Sequence, residues 1–160
     1  MKILVLGAGG VGGYFGGRMA EAGLDVTFLV RERRKQQLIN NGLLVQSKFG
    51  NISMPVKVIT DDEIDSTFDL VLMSCKAYDL DNAIDSIMPV MGCDSVVLPV
   101  INGLRQIDVL QEKVGQSNVL GGVCYVGANL DYQTGVIEHF GNFHSIYFGE
   151  VNSNYTKYTR

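Results

Sequence analysis

Lys2-Ile3-Leu4-Val5-Leu6-Gly7-Ala8-Gly9-Gly10-Val11-Gly12 is the stretch whose reading decides the fold. Lys2 to Leu6 has the pattern of a short apolar strand, as a parallel sheet covered on both faces requires. The strand runs directly into a G-x-G-x-x-G turn. From Gly10 to Ala22 small and apolar residues recur at helical spacing through Val11, Phe15, Met19 and Ala22, and Gly23 stands where a helix-ending glycine belongs. A glycine turn between a first strand and a first helix has a physical use. Gly7 permits the tight turn, Gly9 leaves room for a pyrophosphate to approach the backbone, and Gly12 lets helix and strand pack closely. The helix N-terminus adds N–H groups and a partial positive charge for the phosphates.

Outward from this turn, strand and helix patterns alternate. Val26 to Val30 is a second apolar strand, Arg31 to Asn41 a polar helix, and Leu70 to Ser74 a third apolar strand. Leu80 to Met91 has helical spacing with Ile84, Ile87 and Met91 on one face. Ser95 to Ile101 reads as a strand and Ile107 to Val114 as a short helix. Between them, Leu43 to Gln46 and Met54 to Ile59 suggest a hairpin-like excursion around Gly50-Asn51. Toward the end Val119 to Val126, Val136 to Phe140 and Ser145 to Phe148 are strand-like, with Asp131 to Gly135 as a polar turn. Met73, Met88 and Met91 read as core. The expected fold class is α/β: a Rossmann-type doubly wound, mostly parallel sheet with extra β-strands near the C-terminal end. Residues 1–150 form the domain, and the polar residues 151–160 read as a linker or a ragged end.

Composition narrows the function classes. The chain has 160 residues, 46% hydrophobic and 19% charged, with a net charge of −4. That balance argues against nucleic acid or an anionic membrane as partner, so an anion site must be local. No apolar run is long enough for a membrane span, and the N-terminal run is too short for a secretory signal, so a cytoplasmic location is expected. Cys75, Cys93 and Cys124 show no metal or disulfide spacing and read as free thiols. No metal site is expected.

The residue after the second strand chooses between nicotinamide cofactors. An acid there takes a ribose 2′-hydroxyl, and an arginine suits a 2′-phosphate. Here it is Arg31, followed by Arg33, Arg34 and Lys35; the last two read as the solvated first turn of a helix. Glu32 is the alternative, able to take a ribose hydroxyl if Arg31 turned away. The expected cofactor is NADPH, with Gly7, Ala8, Gly9, Gly10, Val11, Gly12 and Arg31 against it. Lys76 and Asn102 each follow a strand, the edge where ligands of such sheets bind. Lys76 suits a phosphate and Asn102 offers both donor and acceptor. His139 and His144 read as structural.

The ordered set of the glycine turn, Gly16, Gly23, Val26 to Arg31, Lys76-Ala77-Tyr78, Asn102-Gly103, Gly127-Ala128 and Gly135 to His139 resembles the ketopantoate (2-dehydropantoate) reductase family over essentially the whole chain. The resemblance implies NADPH-dependent reduction of 2-dehydropantoate to pantoate, a step toward pantothenate and coenzyme A. It places Arg31 and Lys76 on the 2′-phosphate, Asn102 beside nicotinamide and substrate, and Ala128 along the cofactor. It also implies longer chains, with a C-terminal helical domain that carries the lysine general acid. No residue of the present chain is nominated as catalytic. A small-molecule 2-keto acid is the expected substrate. Without the second domain an apolar patch should be exposed, and a homodimer could cover it. Two other readings stay open: the half of another 2-keto acid reductase or β-hydroxyacid dehydrogenase, and a nucleotide-sensing module without catalysis.

Overall fold

The computed structural model describes residues 1–76, 79–101, 103 and 105–151. Its first sheet has five strands, all parallel, in the order β5-β2-β1-β6-β7. They are β1 (Lys2–Leu6), β2 (Asp25–Leu29), β5 (Lys57–Ile59), β6 (Phe68–Met73) and β7 (Met91–Pro99). The helices are α1 (Gly10–Glu21), α2 (Glu32–Asn41), α3 (Leu80–Ile87) and α4 (Arg105–Val114). The chain winds from β1 outward through β2 to β5, then returns to the other side of β1 for β6 and β7. The reversal lies between β1 and β6, where open α/β sheets bind their ligands.

The continuous apolar strands are explained by burial on both faces. Ile3 and Val5 of β1, Phe28 of β2, Leu72 of β6 and Val96 and Leu98 of β7 join one core cluster. Their neighbours Leu4, Leu29, Val71, Met73 and Val97 join a second cluster with Ile84 and Ile87 of α3 and Leu110 of α4. The period of two thus divides each strand between two cores.

A second sheet of four strands, in the order β4-β3-β9-β8, comprises β3 (Leu43–Gln46), β4 (Ile52–Met54), β8 (Leu120–Leu130) and β9 (Val136–Glu150). It packs across α1, which therefore lies between two sheets. Five of the 12 residues of α1 are glycine, at roughly 0.8–1 kcal/mol each against alanine in a helix interior. Contact explains them. A Cβ at Gly16 would lie 2.6 Å from Phe28 Cε1 of the first sheet. One at Gly17 would lie 2.7 Å from Leu43 Cδ2, and one at Gly13 would collide with Ile137 Cδ1, both of the second sheet. The helix ends at Gly23, φ +85°, with the Leu24 and Gly23 N–H groups donating to the carbonyls of Met19 and Ala20, a Schellman pattern.

Several expectations need correction. The run from Met54 to Ile59 is not one strand. Pro55, without an N–H, separates β4, antiparallel to β3, from β5, which pairs with β2 in the other sheet. The helical pattern to Met91 stops at Ile87, because Pro89 sits in a 3-10 turn over Met88–Val90 and Met91 begins β7. Met88 is not core; it is 44% exposed, whereas Met73 is fully buried. The two late strand-like segments are one strand, β9, irregular at Gly141 to Phe143. On the outer face of β8 and β9, Val123, Tyr125, Phe140 and Tyr147 are exposed. Among the described residues no helix is long and apolar enough to cross a membrane.

Candidate cofactor site

The glycine turn occupies the C-terminal end of β1, beside the topological reversal. The Gly7 N–H donates to the Leu29 carbonyl at 2.9 Å, which ties the turn to the end of β2. Gly7 holds φ +88°, a conformation that a side chain strains. Gly9 is the N-cap of α1, with extended backbone, and its carbonyl accepts the first helical bond from the Gly13 N–H at 2.9 Å. A Cβ on Gly9 would meet nothing within 4 Å. This is open space at a helix N-terminus, where an anion is favoured.

The other members of the motif are glycine for packing. A Cβ at Gly12 would collide with the Gly7 carbonyl and Ser74 Oγ and lie 3.2 Å from Val5 Cγ1. At Gly10 it would overlap the Ala128 carbonyl and lie 2.8 Å from that carbonyl carbon. Ala128 of β8 is thus packed against the start of α1. Ala8 is buried, and Val11 packs on the core cluster beneath the turn.

Arg31 is the N-cap of α2, at the end of β2, with its side chain 86% exposed. Its Nη2 donates to Asp79 Oδ2 at 3.1 Å. So exposed an ion pair contributes at most about 1 kcal/mol, little against a phosphate. Glu32 is also exposed, and its Oε1 accepts from Gln36 Nε2 at 2.6 Å, along the helix. Lys76 is exposed at the end of β6, and its carbonyl accepts from the Asp79 N–H at 2.9 Å. Asn102 and Ala77 lie outside the described residues. The ends of β1, β2 and β6 therefore bring Gly9, Arg31 and Lys76 to one sheet edge.

Sequence reasoning missed two features. Asp79, which holds Arg31, has no motif. Arg34 and Lys35 are not a solvated turn. Lys35 pairs with Glu63, whose carboxyl is held down at about 2 by that bond and by the N–H and hydroxyl of Thr60. Arg34 is half-buried and bonded to the glycine turn. The signal for Arg34 was its spacing of four residues from Leu38, the buried residue of α2. His139 stacks on Tyr14 at 4.4 Å, and Tyr14 Oη and His144 Nδ1 hydrogen-bond at 2.9 Å, so both histidines serve as partners of an α1 side chain. Next to the site, burial and then Asp79 push the Cys75 thiol up to about 11. No cluster that could hold a metal occurs among the described residues.

An uncharacterized oxidoreductase, YkpB, of Bacillus subtilis is 42% identical over 160 residues, all of this chain and 52% of that protein. The crystal structure of 2-dehydropantoate 2-reductase from Geobacter metallireducens superposes with a TM-score of 0.88 at 29% identity, over 98% of this chain and 51% of that one. A ternary structure of D-mandelate dehydrogenase with NADH and anilino(oxo)acetate gives 0.85 at 24% identity, over 96% of this chain and 49% of that one, a likeness of fold alone. The chain thus spans about half the length of the relatives it matches. The family described as ketopantoate reductase PanE/ApbA matches residues 3–153, and the chain belongs to that family of oxidoreductases.

Proposed function

We propose that this chain is the NADPH-binding half of a 2-dehydropantoate 2-reductase. The observation that carries the reading is the space left by the absent Gly9 side chain at the N-terminus of α1, on the same sheet edge as Arg31. The residues present suit a dinucleotide phosphate. The turn offers backbone N–H groups and the partial positive charge of a helix start to the pyrophosphate. Arg31 offers a planar fork to a 2′-phosphate, releasing Asp79 as it does so. Lys76 adds a second cation at the end of β6. NADH in a neighbour of the same fold leaves the choice of cofactor to these side chains, and two cations beside a phosphate position favour NADPH.

In the reduction a bound nicotinamide supplies the hydride. The chain's own task is to hold that ring at the sheet edge, which the turn and Arg31 do by fixing the far end of the molecule. Asn102, following β7, is the residue assigned to the substrate side. Hydride arrival leaves negative charge on the ketone oxygen, and a proton donor is worth about 10²–10⁴-fold there. No described residue is nominated for that step: Lys76, the nearest candidate, is assigned to the phosphate. Cys75 stays a thiol at neutral pH, and His139 and His144 are engaged around Tyr14.

Residues 1–160 are expected to bind NADPH, read by fluorescence titration, and to show no 2-dehydropantoate-dependent oxidation. Failure to bind would remove the reading altogether. Brisk turnover would place a proton donor inside this chain and overturn the division of labour.

A further inference from the structure

Arg34 lies one turn into α2 and faces inward with Leu38. Its Nε donates to the Ala8 carbonyl at 3.0 Å, inside the glycine turn. Its Nη1 donates to the Gly135 carbonyl at 3.0 Å, in the turn between β8 and β9, and to Gln37 Oε1 at 3.2 Å. Nη2 is buried without a hydrogen-bond partner. No carboxylate forms an ion pair with Arg34 among the described residues. A half-buried guanidinium therefore stands one hydrogen bond from the phosphate-binding turn with its charge uncompensated, and a buried cation without a counter-charge is costly unless something supplies one.

The bond to Ala8 has a directional consequence. The Ala8–Gly9 peptide is planar and trans, so its C=O and N–H point in opposite directions. Fixing the Ala8 carbonyl on Arg34 fixes the Gly9 N–H away from it. The same helix carries Arg31 at its N-cap, and the Arg34 N–H donates to the Arg31 carbonyl at 2.9 Å. We propose that Arg34 is a positioning residue of the cofactor site, orienting the Gly9 amide for the pyrophosphate and locking the glycine turn to the helix that presents Arg31. This rests on the cofactor reading above. It goes beyond it in assigning to a residue that need not touch the cofactor an effect on its pyrophosphate half.

That placement separates Arg34 from Arg31 by experiment. Arg34→Met keeps the aliphatic stem and removes the fork; Arg34→Lys keeps the charge and offers one nitrogen instead of a planar pair. Two readouts serve. The first is Kd for NADPH and for NADH on the folded fraction. The second is the Gly9 amide resonance of cofactor-free, nitrogen-15-labelled protein. Arg34→Met should weaken both nucleotides by about tenfold or more and shift the Gly9 amide, with Arg34→Lys between it and the unmodified protein. Arg31→Ala should weaken NADPH alone and leave that amide in place. A lower melting temperature with unchanged Kd and an unmoved Gly9 amide, in either Arg34 variant, would make Arg34 a stability residue only and overturn the proposal. If Arg34→Met does not fold, Arg34→Lys carries the same test. If the unmodified protein binds neither nucleotide, the cofactor reading fails, and the Gly9 amide still decides whether Arg34 orients the turn.

Discussion

Gly9 and Gly10 are adjacent glycines of one motif in opposite surroundings, Gly9 facing open space and Gly10 packed on Ala128, and the proposed cofactor site gives them opposite duties. Gly9→Val should spare the fold and abolish NADPH binding. Its backbone is extended, φ −82° and ψ −161°, a region open to any residue, and its Cβ would find nothing within 4 Å. Loss of a glycine N-cap costs at most about 1 kcal/mol, and the unfolded chain loses roughly 0.4–1 kcal/mol of entropy in compensation. The melting temperature should hardly move, while the new side chain fills the pyrophosphate's path. Gly10→Ala is the converse. Its Cβ would stand 2.8 Å from the Ala128 carbonyl carbon and 3.1 Å from the Asn129 nitrogen, both backbone atoms of β8. Carbon atoms in contact sit about 3.5–4.0 Å apart, so helix and strand must separate by several tenths of an ångström. The struck atoms are backbone and cannot rotate aside, so the cost lies in the upper part of the overpacking range, about 2–3 kcal/mol, and the same entropy compensation leaves roughly 1–2.6 kcal/mol. At about 2–4 °C per kcal/mol for a domain of this size, the melting temperature falls by roughly 2–10 °C. Circular dichroism melts and NADPH fluorescence titrations of both variants read the two effects. Normal NADPH affinity in Gly9→Val, or an unaltered melt in Gly10→Ala, would refute the assignment of one glycine to the ligand and the other to packing.

Three further outcomes are expected. Arg31→Ala should lower NADPH affinity by about 10–100-fold, the worth of a charge-assisted contact of roughly 1.5–3 kcal/mol, and leave NADH nearly unchanged; equal calorimetric affinities of the unmodified protein for both would contradict it. The Glu63 carboxyl is held at about 2 against an ordinary 4.5, so its bonds to Lys35 and Thr60 stabilise the fold above pH 4.5 and are lost as pH falls toward 2. The melting-temperature gap between the protein and Glu63→Gln should close across that window and shrink in high salt; a gap that persists at pH 2 would exclude this ionisation as its source. Iodoacetamide at pH 8 should label exposed Cys93 well before half-buried Cys75, whose thiol lies up at about 11; equal rates would show that Cys75 is not shielded.

The parallel sheet was legible because its strands are local and apolar on both faces. Ile3, Leu4 and Val5 are all buried, and a run without alternation has few other uses in a domain of this kind. The turn from β1 into α1 was legible because Gly7, Gly9 and Gly12 stand at fixed spacing between an apolar strand and a helical pattern. The second sheet was not, because its pairings are distant. Leu44 of β3 pairs with Val136 of β9, and no periodicity within either segment names the other. The split of Met54 to Ile59 needed the same distant information, since β4 and β5 differ in their partners rather than in their composition. Arg34 was hidden for a related reason. Its neighbours Arg31 and Arg33 are exposed, and charge at the start of a helix ordinarily faces water. Only the position of the β8–β9 turn, set by the second sheet, brings the Gly135 carbonyl to the guanidinium beside that of Ala8.

The glycines of α1 can be assigned by what each would strike. Gly12 and Gly16, four residues apart, face the first sheet through Ser74, Val5 and Phe28. Gly10, Gly13 and Gly17 face the second through Ala128, Ile137 and Leu43. A helix between two sheets must be thin on both sides, and spacings of three and four residues place one side chain above another on each face. The small residues after a G-x-G-x-x-G turn therefore say as much about a second layer as about a nucleotide. They also bind the two together. The start of α1, where the pyrophosphate is expected, rests on Ala128 of β8, and the turn before it is held by Arg34 to Gly135, at the β8–β9 turn. The geometry of a site built at the ends of β1, β2 and β6 is thus set partly by a hairpin far along the chain. A perturbation of that hairpin should reach the proposed cofactor site through the Ala128 and Arg34 contacts.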